Sequence, residues 1–364
     1  MSISRGSAFP ERIETTRLVL RRPVESDRAL WVALHRDPAL YRHAPYAIFP
    51  SEQAAGANFE DALSHWQSRG FGYQIVELAG RADLTGRNTT FQLEGCVTPI
   101  GLGGLRTGRE GELNLYYRFA AETHGQGYAR EATRAWVTAG LEHLDDTVTA
   151  VAKEHNVASV RTALTAGLSR TGSRTLSDDP LGSAPSVVFT APTVEVFRAA
   201  GLPDPVAGEV LELWLRVTEQ GGSVGFVPGD SRADHAQALA AHEQQMRDGR
   251  AVAVLLRDPG SGELVSIGWW VQEDSPRYVH RRTAYRVMTD PARRGRNLGR
   301  LQLAAMHRVA RADGVELALL GGRGGMGLEA FYQRCGYAEV GRIPGGIRVA
   351  PGEDRDDVTM ARRL

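Results

Sequence analysis

Apolar and polar residues alternate along the middle of the first half of the chain, with Leu113, Leu115 and Tyr117 set against Asn114, Tyr116 and Arg118. That is the period of a strand with one buried face. Past a glycine turn, Ala129, Ala132, Trp136, Ala139 and Gly140 recur at the spacing of one helical face. The second half repeats the pattern: 284–288 reads as a strand, and Leu298, Leu301, Ala305, Val309 and Ala312 fall on one face of a helix. The same periodicities predict strands at 71–78, 98–105, 148–152 and 186–190, then at 250–257, 264–270, 316–320 and near Val358. They predict helices at 25–36, 53–69, 206–219 and 233–248. The stretch 170–185 is rich in Ser, Gly, Asp and Pro and reads as a loop, and Ala191, Pro192 and Thr193 read as a linker. Domains are therefore expected at 1–191 and 192–364.

The repetition extends to its landmarks. His124-Gly125-Gln126-Gly127-Tyr128-Ala129 and Arg294-Gly295-Arg296-Asn297-Leu298-Gly299 each follow a strand and open a helix, and Gly125 and Gly295 lie 170 residues apart. Gly167 follows the first turn by 42 residues and Gly336 follows the second by 41. One fold written twice accounts for that agreement.

Composition narrows the classes. A chain of 364 residues holds about two domains of ordinary size. Its 43 Lys+Arg balance 43 Asp+Glu, so no global charge draws it to a phosphate backbone or an anionic membrane. Lys153 is its single lysine, which leaves almost no candidate for Schiff-base chemistry. Cys96 and Cys335 form no C-x-x-C pair, arguing against a disulfide framework and a thiolate zinc site. The first 17 residues carry no apolar core of the signal-peptide kind, and the longest apolar run, 251–256, is strand-length. A cytoplasmic protein without nucleic-acid or membrane partners is expected.

A strand that ends in a glycine turn and opens into a helix directs several backbone N–H groups and a positive helix end at one point. Such a point suits a diphosphate. Gly125, Gly127 and Ala129 are small enough for close approach, and Arg294 and Arg296 add charge in the second copy. An ordinary turn without a ligand is the competing reading. A dinucleotide fold fits less well, because Arg130 occupies the third glycine position and the motif follows several strands. A phosphate-binding loop of the G-x-x-x-x-G-K-[ST] type is absent.

These residues resemble the GNAT superfamily of acyl-CoA-dependent N-acyltransferases, in two copies that cover nearly the whole chain. The family's diphosphate loop reads [QR]-x-x-G-x-[GA]; the first copy departs from it with His124 and the second with Asn297. The first half is similar to the subgroup that acetylates N-terminal alanine and serine of ribosomal proteins, through Glu14 to Arg21, Pro99-Ile100-Gly101 with Gly104-Leu105, Tyr117-Arg118-Phe119 and Asn156-Val157-Ala158-Ser159-Val160. The second half resembles small-amine acetyltransferases through Phe331-Tyr332-Gln333-Arg334-Cys335-Gly336-Tyr337.

The resemblance implies two tandem mixed α/β folds, each a twisted, mostly antiparallel sheet flanked by helices. It implies acetyl-CoA as donor, held by residues 124–129 and 294–299, and a primary amine of a small molecule or a protein N-terminus as acceptor. It places Asn156 and Ser159 near the coenzyme thioether. Tyr332 becomes the proton donor to the departing thiolate, with core filling as its alternative; Ala163 stands at the equivalent first-half position.

Acyl transfer from a thioester to an amine needs a neutral amine, a polarised carbonyl and a protonated leaving sulfur. Backbone N–H groups of Leu115–Tyr117 and of Val287, Met288 and Thr289 are placed to polarise the carbonyl. Glu112, on one strand face with Asn114, is the candidate base, or else a solvated edge glutamate. The second copy offers Thr283 and Tyr285 on the matching face but no acid, with His280 nearby. The glycine run 321–327 reads as a tunnel-shaping loop or a plain connection, and the acids of 353–357 as a solvated turn. At least one half is expected to be catalytic, the second slightly favoured for its tyrosine. The reading from a different class is an acyl-CoA-binding sensor or scaffold with one or both halves inert.

Overall fold

The first unit begins with β1 (Arg12–Glu14) and β2 (Leu18–Arg21), followed by α1 (Arg28–Arg36) and α2 (Glu52–Arg69). Then come β3 (Tyr73–Leu78), β4 (Pro99–Thr107), β5 (Leu113–Phe119), α3 (Tyr128–His143), β6 (Val148–Lys153), α4 (Val157–Thr165), β7 (Ser169–Arg174) and β8 (Ser186–Thr190). The second holds β9 (Thr193–Phe197), α5 (Asp204–Glu219), α6 (Arg232–Arg247), β10 (Ala251–Arg257), β11 (Leu264–Val271), β12 (Arg281–Thr289), α7 (Leu298–Ala312), β13 (Leu317–Arg323), α8 (Leu328–Gln333), β14 (Ala338–Ala350) and β15 (Glu353–Arg363). This computed structural model describes residues 8–79, 99–108, 111–175 and 185–364. Contacts among them separate Ala8–Ala191 from Pro192–Leu364. Cys96 and the first residue of the strand expected at 98–105 lie outside the described residues.

The fold class is mixed α/β. The first sheet runs β1-β2-β3-β4-β5-β6-β8-β7 and the second β14-β15-β13-β12-β11-β10-β9. Each is antiparallel except at one central pair, β5 with β6 and β12 with β13. Parallel neighbours need a crossover, and α3 and α7 supply it. Helices cover both faces. Ile75 and Leu102 pack with Trp31, Leu34, Phe59 and Ala62 of α1 and α2. The opposite face takes α3, where Gly140 is small enough to lie against Leu105 and Val148. In the second unit Trp214, Val210 and Leu213 of α5 and Met246 of α6 pack on Ala253, Leu255 and Trp269. On the other side α7 is anchored by Trp270 Nε1 donating to the Met306 carbonyl at 2.7 Å and Gln302 Nε2 to that of Val254 at 2.8 Å.

Four expectations need correction. Residues 170–174 of the supposed loop belong to β7, a polar strand because it is the sheet edge and its side chains face solvent, and residues 176–184 of that stretch lie outside the described residues. Thr193 belongs to β9 rather than to a linker, paired with Arg257 of β10. The acids of 353–357 sit in β15, not a turn, and Asp354 and Asp356 are neutralised by Arg348 and Arg342 of β14 at 2.8 and 2.7 Å. The helix expected from residue 25 becomes α-helical only at Arg28, after a 3-10 turn at Glu25–Asp27. Of the glycine run, Gly321 and Gly322 extend β13 against Thr359 and Val358, so that part is plain strand.

Candidate active site

β5 and β6 are paired only at Leu113–Val148 and Asn114–Thr149. Beyond that the two strands part, and β6 turns to β8 for its other partner. The gap is a cleft of about 980 Å³ lined from both sides of the sheet, with Glu112, Asn114, Tyr116 and Arg118 on one wall and Tyr117, Asn156, Ser159 and Ala163 on the other. Residues of the connection between α1 and α2, including Leu40, Tyr41 and His43, close its rim.

Ser159 sits in the first turn of α4 because Asn156 caps that helix, its Oδ1 accepting from the Ser159 N–H at 3.2 Å. The Tyr117 hydroxyl donates to Ser159 Oγ at 3.3 Å. Burial raises the Tyr117 phenol above its ordinary range, so it remains a neutral donor. The sequence pattern sets Tyr117 on the strand face of Leu115 and names its main chain for the carbonyl, but gives its hydroxyl no role; the same alternation puts that side chain on the α4 face. Glu112 lines the cleft with Oε1 3.8 Å from Arg174 Nη2.

The turn after β5 has the shape expected of an anion cradle. Gly125 and Gly127 have φ of 78° and 80°, and a Cβ built at Gly125 meets nothing within 4 Å, so its face is open. Tyr128, Ala129 and Arg130 open α3, where N–H groups have no helical acceptor. A pinned partner holds the turn: Arg17 Nη1 donates to the Gln126 carbonyl at 2.9 Å and its Nε to Glu131 Oε2 at 2.7 Å, while the other Glu131 oxygen accepts from Thr15 Oγ1 and the Arg17 N–H. Burial pushes the Glu131 carboxyl upward, but these hydrogen bonds outweigh it and hold the group below the usual range. His124 spends Nε2 on the Phe119 carbonyl at 3.0 Å, a contact within the turn. The open cradle and its donors fit a coenzyme A diphosphate.

In the second unit Gly295 and Asn297 repeat the geometry, with φ of 80° and 62°. Asparagine tolerates this left-handed region better than other residues with a side chain. Arg294 and Arg296 are exposed on the turn, and neither forms an ion pair with a described carboxylate. β12 parts from β13 after Ala284, but here the strand is bulged: two residues, Arg286 and Val287, oppose Gly268 alone, and Arg286 takes φ 51°. Sequence reasoning missed that bulge. Its side chain lies over the rings of Trp214 and Phe226, so close to Gly225 that a Cβ there would fall 1.5 Å from Nη1.

Val287 and Thr289 flank the buried Met288 on this strand, whose carbonyl accepts from Ser266 Oγ at 2.6 Å. Tyr332 projects from α8 beside Phe331 and Tyr337, with ring centroids at 5.2 and 6.0 Å. Burial, reinforced by Cys335, pushes its phenol up to about 12. Among the described residues its hydroxyl has no hydrogen-bond partner.

Residues 17–169 match the model of the acetyltransferase (GNAT) domain. Similar solved structures include ribosomal-protein-alanine N-acetyltransferase from Brucella melitensis, at 18% identity and TM-score 0.39 over 47% of this chain and 99% of that one. An acetyltransferase from Agrobacterium tumefaciens is 20% identical with TM-score 0.39, over 49% and 92%. One of the GNAT family from Streptococcus pneumoniae is 15% identical with TM-score 0.39, over 47% and 100%. No curated protein matches the chain. Among the described residues no helix is long and apolar enough to cross a membrane.

Proposed function

We propose that the first unit catalyses acetyl-CoA-dependent N-acetylation of a primary amine. The observation that carries this is the cleft between β5 and β6, which brings the Tyr117–Ser159 pair and Glu112 to one space. Acetyl-CoA, when bound, supplies the acyl group as a reactive thioester. The cradle at Gly125–Ala129 anchors its diphosphate and the main chain of Leu115–Tyr117 orients the carbonyl. Glu112 accepts the proton that the amine must lose, directly or through water. The Ser159 hydroxyl gives its proton to the departing sulfur as it takes up the proton of the Tyr117 hydroxyl that donates to it, and the phenol is restored from solvent when the products leave. Ser159 thereby fills the role that Ala163 denies to a tyrosine at that position.

For the second unit we propose a binding role for acyl-CoA without turnover. Its favouring observation is the filled face: Arg286, Trp214 and Trp269 occupy the side of β12 that corresponds to the open wall of β5. A phenol raised to about 12 is also a weaker acid than an ordinary tyrosine.

The test is amine-dependent thiol release by the full chain. We expect release with acetyl-CoA and a small amine, and a fall in kcat of about 10²–10⁴-fold for Ser159→Ala. Acetyl-CoA binding without amine-dependent release would leave the chain a binding module.

A further inference from the structure

The cleft wall that holds Glu112 also carries an unneutralised cation, which the mechanism does not use. Arg118, on β5, has its Nε donating to the Tyr116 hydroxyl at 2.7 Å and Nη1 to the Leu40 carbonyl at 2.7 Å, with the guanidinium 3.5 Å from the centroid of Tyr41. No described carboxylate is within ion-pair distance, although Arg106 in the same cleft is paired with Asp61 at 2.6 Å and Arg174 lies near Glu112. The groups around it add no negative charge. His35 Nδ1 lies 2.9 Å from the Trp31 carbonyl, which fixes that nitrogen as the donor and leaves Nε2 to accept from Tyr116. Burial, with Arg118 adding to it, lowers the imidazole to about 4, so it stays neutral. Burial raises the phenols of Tyr116 and Tyr41, so neither ionises beside the guanidinium.

A second observation points the same way. Tyr41 is 3% exposed, lines the cleft, and has a hydroxyl enclosed without any hydrogen-bond partner. A buried donor left unmatched is costly, and the half-buried guanidinium beside it lacks a counter-charge; one oxyanion placed against both groups would satisfy them together.

We infer that the acceptor amine carries an oxyanion, a carboxylate or a phosphate, that Arg118 and Tyr41 bind. The inference rests on the reading of the first unit as an N-acetyltransferase and names its substrate class. Arg118 and Tyr117 are consecutive residues on opposite faces of β5, so the anion site and the Tyr117–Ser159 pair lie on either side of one strand edge. That juxtaposition suits a compact acceptor, with few bonds between its amine and its anion. The hydrogen-bonded series from Trp31 through His35 and Tyr116 to Arg118 fixes the guanidinium.

The experiment compares matched acceptors with the full chain: β-alanine against propylamine, and O-phosphoethanolamine against ethanolamine. The anionic member of at least one pair should be favoured by about 10–100-fold in kcat/KM, expressed mainly in KM, and which pair responds separates carboxylate from phosphate. Arg118→Gln should bring that ratio close to one. Tyr41→Phe, which removes only an unpartnered hydroxyl, should lower it by about fivefold. Turnover of neutral amines with no anionic preference would overturn the inference while leaving the acetyltransferase reading in place. A preference that survives Arg118→Gln in a folded protein would also overturn it. Should that variant not fold, an undiminished ratio in Tyr41→Phe does the same. If no amine turns over, that reading fails and calorimetry with inorganic phosphate and with acetate decides separately. Binding that Tyr41→Phe weakens supports the anion site, and absence of binding to the wild-type chain refutes it.

Discussion

The central strands β5 and β12 do the same topological work and end in the same turn, yet their sides facing the first helix pair are spent differently. β5 runs in unbroken register against β4, and its side chains Asn114, Tyr116 and Arg118 line an open cleft. β12 breaks register at Arg286, which lies over Trp214 and Phe226 on the matching side. Below that face, His242 stacks on Trp269 at 4.9 Å and completes the filling. A shared scaffold thus fixes the place of the glycine turn and leaves the side of the strand facing the first helix pair free to be opened or packed. Function follows from that side rather than from the fold.

The largest effect that can break this comparison is catalytic. With Ser159→Ala in place, the residual rate should be indifferent to Tyr332→Phe if, as proposed, only the first unit turns over. Single-turnover acetyl transfer measures it. A further drop of tenfold or more on adding Tyr332→Phe would show that the second unit works through its tyrosine, as its sequence had suggested.

A smaller effect, of about 3 kcal/mol in each unit, should appear in acid. His35 and His242 are both lowered to about 4, chiefly by burial, with Arg118 and Arg286 respectively adding to it. Each is held neutral in the folded chain but takes up a proton near 6.5 when unfolded. Protonation therefore favours the unfolded state. Stability is complete above pH ~6.5 and falls as the pH drops toward 4, where the loss is full. Urea midpoints across that range should fall for the intact chain. His242→Gln should flatten the pH dependence of the second unit only, and flattening of both would mean that the units do not unfold independently.

Periodicity alone placed most of the strands and helices, because buried faces impose their period on the sequence: Leu113 and Leu115 read as strand and are buried. The cradles were legible too, since a positive φ demands Gly or Asn. What stayed hidden has physical reasons. β7 is a solvent-facing edge without apolar alternation, and the six-residue α8 spans fewer than two turns. The Tyr117–Ser159 contact joins residues 42 apart, and the Arg118–Tyr41 contact residues 77 apart, so neither pair leaves a local pattern. A bulge such as that at Arg286 is set by the pairing partner, and an arginine there looks like any solvated strand residue.

The finest test concerns the one position where the cradles differ. Gly127 and Asn297 precede α3 and α7 in nearly the same left-handed conformation, φ 80° and ψ 8° against φ 62° and ψ 1°. A Cβ built at Gly127 would meet only the tips of Arg17 and Arg130, at 3.6 and 3.7 Å, which is ordinary contact with flexible groups. The reciprocal exchanges Gly127→Asn and Asn297→Gly should therefore each change stability by less than about 1 kcal/mol, since asparagine accepts the conformation and glycine trades strain for unfolded-state entropy. Acetyl-CoA affinity should move by no more than about fivefold at either site, the equivalent of ~1 kcal/mol. Gly127→Val is the contrasting control: a β-branched residue at this φ is a true outlier and should disrupt the turn itself. Calorimetric titration of the intact chain reads both sites. If Gly127→Asn abolishes binding at the first site while the fold holds, the added side chain stands in the path of the diphosphate. Asn297 would then disable the second cradle, and the difference between the units would lie in donor binding as well as in the acceptor face.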